Sequence, residues 1–201
     1  MKFIFDSYSP DEKIPVLQYL KNKKIKKYFS LETMAAIVGM GKLIERLNLD
    51  TEETPLYYAT GMMEYEDYGL KEIGEHSVDR YGNFSQKSFI ESSRIQISPL
   101  NQFKVLQNMP LSFLSINYNL RGDNAVLCSS AAGLIIQALN SDTNGHMIIG
   151  AGKVYKDRKV EAGFAYLEKR EIENSHLISY AKEFTKEAIE IFRTLSQGND
   201  L

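Results

Sequence analysis

Residues 121–139 read RGDNAVLCSSAAGLIIQAL. Arg121, Gly122, Asp123 and Asn124 carry turn chemistry. Residues 125–128 (AVLC) form a short apolar run that suits a strand. Residues 129–139 (SSAAGLIIQAL) open on small residues and turn apolar, which predicts a helix capped by serine. Residues 142–145 (DTNG) form the next turn, and residues 147–149 (MII) the next strand. Strand, helix and strand in close succession are the pattern of an α/β domain.

Upstream, residues 2–5 predict a first strand and residues 7–11 (SYSPD) a turn, because Pro10 cannot donate to a ladder. Residues 21–27 (KNKKIKK) are strongly basic. They read as a solvated face before a helix, or as an electrostatic contact for an acidic partner. Ser30 is a good N-cap, and Glu32 falls in the first turn, where the helix dipole favours a carboxylate. Met34, Ile37, Val38, Leu43 and Leu47 then recur at helical spacing as far as Asn48. Gly39 and Gly41 weaken that helix and let a neighbour come close. Residues 55–63 (PLYYATGMM) suit a buried strand.

Residues 64–96 are polar, with a helix predicted over 67–75 and then a surface excursion. Ser98-Pro99 breaks the chain. Pro110 is tolerable in the following stretch if it opens a helix, which puts Asn108 near that helix start. Downstream, residues 160–167 (VEAGFAYL) predict another strand. From 174 to 197, Leu177, Ala181, Phe184, Ala188, Ile191 and Leu195 keep i+3/i+4 spacing. They predict one amphipathic helix stopped by Gly198. The whole is an α/β domain with a central, mostly parallel sheet. Residues 1–201 read as one domain without repeats.

Composition narrows the function. The 201 residues hold 24 Lys plus Arg against 26 Asp plus Glu, a net charge of -2. No basic excess marks a nucleic-acid binder. The single cysteine, Cys128, excludes a disulfide framework within the chain and a multi-cysteine zinc site. It fits a reducing compartment, and a cytoplasmic location is expected. The N-terminus lacks the apolar stretch of a signal peptide, and no 18-residue apolar run predicts a membrane span.

Gly150-Ala151-Gly152 lacks the third glycine of a dinucleotide fingerprint, since position 155 is Tyr. No Walker sequence is present. His76, His146 and His176 form no ligand pair in sequence. No metal and no cofactor are expected. Cys128 at a strand-to-helix turn is the most nucleophile-like feature, because a helix N-terminus lowers a thiol pKa and can hold an oxyanion. The other reading is a buried free cysteine at a strand end.

Several stretches together resemble the N-terminal half of β-ketoacyl synthases, in the thiolase-like fold. The resemblance is nearest to the short, divergent members that also resemble chain-length factors. Residues 26–36 (KKYFSLETMAA) resemble the basic, aromatic lead-in to that family's first long helix. Residues 97–121 (ISPLNQFKVLQNMPLSFLSINYNLR) are similar to its "SP…F…N…A…L" segment, and residues 122–139 to the segment holding the nucleophile elbow. Residues 147–152 (MIIGAG) look like the next strand with its Gly-Gly-like turn, and residues 161–168 (EAGFAYLE) like the "EGAAALVLE" strand. The match runs in order over roughly residues 1 to 170.

The resemblance implies a thiolase-like half-domain: a mixed five-stranded sheet flanked by helices. Counted without gaps from Gly122 at the spacing of active members, the nucleophile position falls on Ala131. Putting Cys128 there requires a deletion within the strand, which would flip side chains across the sheet. The family's catalytic histidines come from a C-terminal half-domain that these residues do not contain. The resemblance therefore implies a non-catalytic subunit of a fatty acid or polyketide type pathway. Such a subunit would partner a catalytic ketosynthase, or itself, around acyl-carrier-protein thioesters. Asn108, Ser129, Ser130 and Ala131 would face the substrate or the partner. The alternative is an acyltransferase using Cys128 with histidines from a partner chain. A third reading is a free-standing scaffold or ligand-binding module.

Overall fold

The computed structural model describes residues 1–61, 70–96, 103–104, 106–143 and 145–198. The strands are β1 (Lys2–Tyr8), β2 (Leu56–Thr60), β3 (Ala125–Cys128), β4 (His146–Val154) and β5 (Val160–Glu168). The helices are α1 (Leu31–Leu47), α2 (Leu70–His76), α3 (Gln86–Gln96), α4 (Met109–Tyr118), α5 (Ala131–Leu139), α6 (Lys169–Glu173) and α7 (Ala188–Ser196). The basic run forms a 3-10 helix, Lys23–Tyr28, with Lys23, Lys24 and Lys27 exposed.

The strands form one sheet in the order β1-β5-β4-β2-β3. β2 runs parallel to both β3 and β4. β5 runs antiparallel to both β4 and β1. The sheet is thus mixed rather than mostly parallel. The cause is the tight turn after β4, where the Tyr155 N–H donates to Lys159 O at 2.8 Å. A turn that short can join only antiparallel neighbours.

Helices cover both faces. Tyr58, Ile148 and Phe164 pack with Ile37, Met40 and Leu43 of α1. Tyr57, Ile149 and Ala165 pack with Leu134 and Ile135 of α5 and with Ile189 and Phe192 of α7. A strand buried on both faces cannot alternate polar and apolar, which is why PLYYAT reads as one apolar run. Each of these large side chains contributes about 1.5–3 kcal/mol on burial.

The Ser30 side chain caps α1 by accepting from the Thr33 N–H at 3.1 Å, and Asn48 closes the helix in left-handed conformation at φ 49°. Gly41 is required by contact. A Cβ there would lie against the Tyr19 ring and 2.6 Å from the Tyr118 hydroxyl.

Two further expectations change. The stretch 174–197 is not one helix: a 3-10 helix (His176–Lys182) and α7 are separated by a turn over residues 183–187, in which the Lys186 N–H donates to Glu183 O at 3.3 Å. Phe184 lies in that turn and is 74% exposed rather than packed. β4 continues to Val154, so Gly150 and Gly152 are strand residues, not a turn. Of the predicted helix over 67–75, residues 70–75 fall in α2, and residues 67–69 lie outside the described residues, as do Met62, Met63 and the Ser98-Pro99 break with residues 97–102. Among the described residues no helix is long and apolar enough to cross a membrane.

Candidate functional site

Parallel β2, β3 and β4 end on the same edge of the sheet, where α1 and α5 begin. In open α/β sheets that carboxyl edge is where ligands bind. The sharpest feature there is the junction of β3 and α5. Ser129 has φ 34°, a conformation that L residues rarely adopt. The Ser130 N–H turns back onto Cys128 O at 2.5 Å. The Ser129 N–H donates to Thr60 O at 2.8 Å, and Ser129 O accepts from the Ala188 N–H at 2.6 Å.

Each residue singled out by sequence now has a position. Cys128 is exposed, so the reading as a buried free thiol is corrected. Among the described residues β3 is an edge strand bonded to β2 alone, and Cys128 falls on the outward phase of its exposure alternation. The thiol donates to Gln107 Oε1 at 3.2 Å. Ser130 serves as N-cap of α5, its Oγ accepting from the Gly133 N–H at 3.1 Å. Ala131 is fully buried, and its N–H donates to Lys186 O at 3.0 Å. The chain therefore occupies helix-start donors that an oxyanion would need. Asn108 is exposed, precedes α4 and makes no side-chain capping bond. It follows Gln107, so the structure brings that segment beside Cys128.

The histidines are engaged elsewhere. His146 stacks on Tyr166 at 4.5 Å and pairs with Glu168 at 3.2 Å. His76 Nδ1 lies 2.7 Å from Glu72 O, and His176 packs edge-on against Tyr180. Among the described residues no group of three or more His, Cys, Asp or Glu is placed to hold a metal.

Two carboxylates escaped the sequence reading. Glu32 is 3% exposed, and its Oε1 accepts from the Tyr58 hydroxyl at 3.0 Å and from Thr60 Oγ1 at 2.8 Å. Burial pushes its pKa up to about 7 against the opposing pull of those hydroxyls. Glu161 is equally buried but takes Arg193 at 2.6 Å, Lys159 at 2.6 Å and the Tyr155 hydroxyl at 2.8 Å. Burial alone would raise it; these donors outweigh burial and hold its pKa below the ordinary value. The only sequence signal for Glu32 was its place in a first helical turn, which normally means an exposed carboxylate.

Comparison with protein-family models and with curated proteins gives no match.

Proposed function

We propose that the chain is a non-catalytic, ketosynthase-like subunit of an acyl-chain-building pathway, with the chain-length factors as its nearest analogues. The observation that carries this reading is the β3–α5 turn. It has the strand-to-helix form of a nucleophile elbow, on a mixed five-stranded sheet flanked by helices, yet among the described residues no base stands beside its thiol. A thiol nucleophile needs a base within hydrogen-bond reach. The Cys128 thiol meets the Gln107 carboxamide, which cannot take its proton. The lone exposed thiol fits a reducing cytoplasm.

The partner reading draws support from two surfaces. β3 leaves one strand edge without a neighbour among the described residues, and Val126 on it is exposed. Ile136 on α5 and Ile178 on the following 3-10 helix are also exposed. Self-pairing, or pairing with a catalytic ketosynthase, would cover them. The test is a condensation assay of the pure chain with malonyl and acyl carrier-protein substrates, run beside a pull-down of a candidate ketosynthase. No β-keto product together with a stable complex is the expected result. Turnover that is lost in Cys128→Ala would replace this reading with the acyltransferase one, which the exposure of Cys128 favours. Neither turnover nor any complex would leave a free-standing binding module.

A further inference from the structure

Glu32 lies beneath the β3–α5 turn, and among the described residues no cation pairs with it. Its named partners among the described residues, the Tyr58 and Thr60 hydroxyls, are neutral. Thr60 is bonded on two sides. Its hydroxyl donates to Glu32, and its carbonyl accepts from the Ser129 N–H at 2.8 Å. One residue therefore connects the buried carboxyl to the residue at the elbow. Ser129 holds a sparsely populated backbone conformation, and such a conformation persists only while surrounding bonds fix it.

We propose that Glu32 and Thr60 form a proton-operated brace under the β3–α5 turn: loss of the Glu32 proton loosens the carboxyl end of β2, and with it the main-chain bond that holds Ser129. A carboxylate buried among neutral donors, with no counter-charge beside it among the described residues, is costly, and opening the strand end to water relieves that cost. A carboxylic acid in the same place carries no such cost.

Among the described residues, the groups that face Glu32 carry no opposite charge. From β2, Tyr58 is held protonated, its phenol pushed well above the usual range by burial and by Glu32 itself. From β4, Gly152 offers only backbone, and the Lys153 ammonium turns away to Glu187. The Gly61 N–H, bonded to Gly152 O at 2.7 Å, also faces the carboxyl. On α1 itself, Ser30 and Thr33 bond each other at 2.9 Å. The inference does not depend on the ketosynthase reading.

The test is amide hydrogen exchange of the full chain by NMR. Protection of Ser129 is followed relative to Ala165 in β5, which reports global unfolding. In the wild type, relative protection of Ser129 falls at least about tenfold from about pH 5.5 to about pH 8.5, the change that one pKa unit of coupling produces. Glu32→Gln keeps an acceptor oxygen but has no proton to lose, and shows no such fall. Thr60→Val removes one donor to the carboxylate and moves the fall to higher pH. A pH-independent Ser129, or the same fall in Glu32→Gln, overturns the proposal. Should Glu32→Gln fail to fold, an unchanged midpoint in Thr60→Val overturns it equally.

Discussion

The Arg193 guanidinium of α7 donates to the Glu161 carboxylate of β5 at 2.6 Å, although the two residues are far apart in the chain. Glu161 is 2% exposed and the Arg193 side chain is about a third exposed. Lys159 and Tyr155 complete the shell of donors. Removing Arg193 leaves the buried carboxylate one cation short, with Lys159 and the Tyr155 hydroxyl still bonded to it. Arg193→Leu should therefore destabilise by about 1–3 kcal/mol, less than for a fully buried pair because water reaches the guanidinium. Urea unfolding checks this; a change below about 0.5 kcal/mol, typical of a neutral surface site, would refute it.

Glu161 and Glu32 respond to pH with opposite signs. Glu32 binds its proton more tightly folded than unfolded, so its contribution is greatest below the unfolded value of 4.5 and declines as pH rises to about 7. Glu161 binds its proton less tightly folded, so its contribution is present above the unfolded value of 4.5 and is lost as the solution becomes more acid. Unfolding free energies measured across this range in wild type and Glu32→Gln should differ in slope between these two values. Parallel curves would mean that Glu32 does not titrate there.

Ala131→Phe should destabilise the fold, because Ala131 is fully buried. Overpacking such a site costs about 1–3 kcal/mol. For a chain of this size that lowers Tm by about 2–4 °C per kcal/mol. Cys128→Ala, at an exposed position, should stay within about 0.5 kcal/mol of wild type. A thermal melt that ranks the two the other way would disprove this placement of the turn.

Gly41→Ala ought to destabilise, although alanine is the better helix former by about 1 kcal/mol. The added Cβ meets the Tyr19 ring and the Tyr118 hydroxyl, which donates to Ile37 O at 2.7 Å. Moving a packed ring and that bond costs about 1–3 kcal/mol, which exceeds the propensity gain. A more stable variant would show that the α1 face is loosely packed.

Local signals were legible wherever one residue decides one element. Ser30 and the serine pair at 129–130 marked the starts of α1 and α5, Pro110 marked α4, and PLYYAT marked β2. What escaped reading depends on distant contacts. The β4–β5 turn has no glycine at its strained position; Arg158 takes φ 68° there, so composition showed only charged loop. Spacing of i+3 suits a 3-10 helix as well as an α-helix, which hid the break before Glu187. The burial of Glu32 follows from Tyr58 and Thr60, a strand away. At the candidate site, Cys128 and the serines were visible as residue types, whereas Gln107 and the Thr60–Ser129 bond carried no local mark.

Gly152 places a constraint on how this chain can diverge. A Cβ at that position would run into the Tyr58 hydroxyl and lie 2.7 Å from Glu32 Cγ. No single substitution at 152 fits while both partners remain. Positions 32, 58 and 152 should therefore covary in descendants of this sequence: a side chain at 152 should accompany a smaller residue at 58 or the loss of the carboxyl at 32.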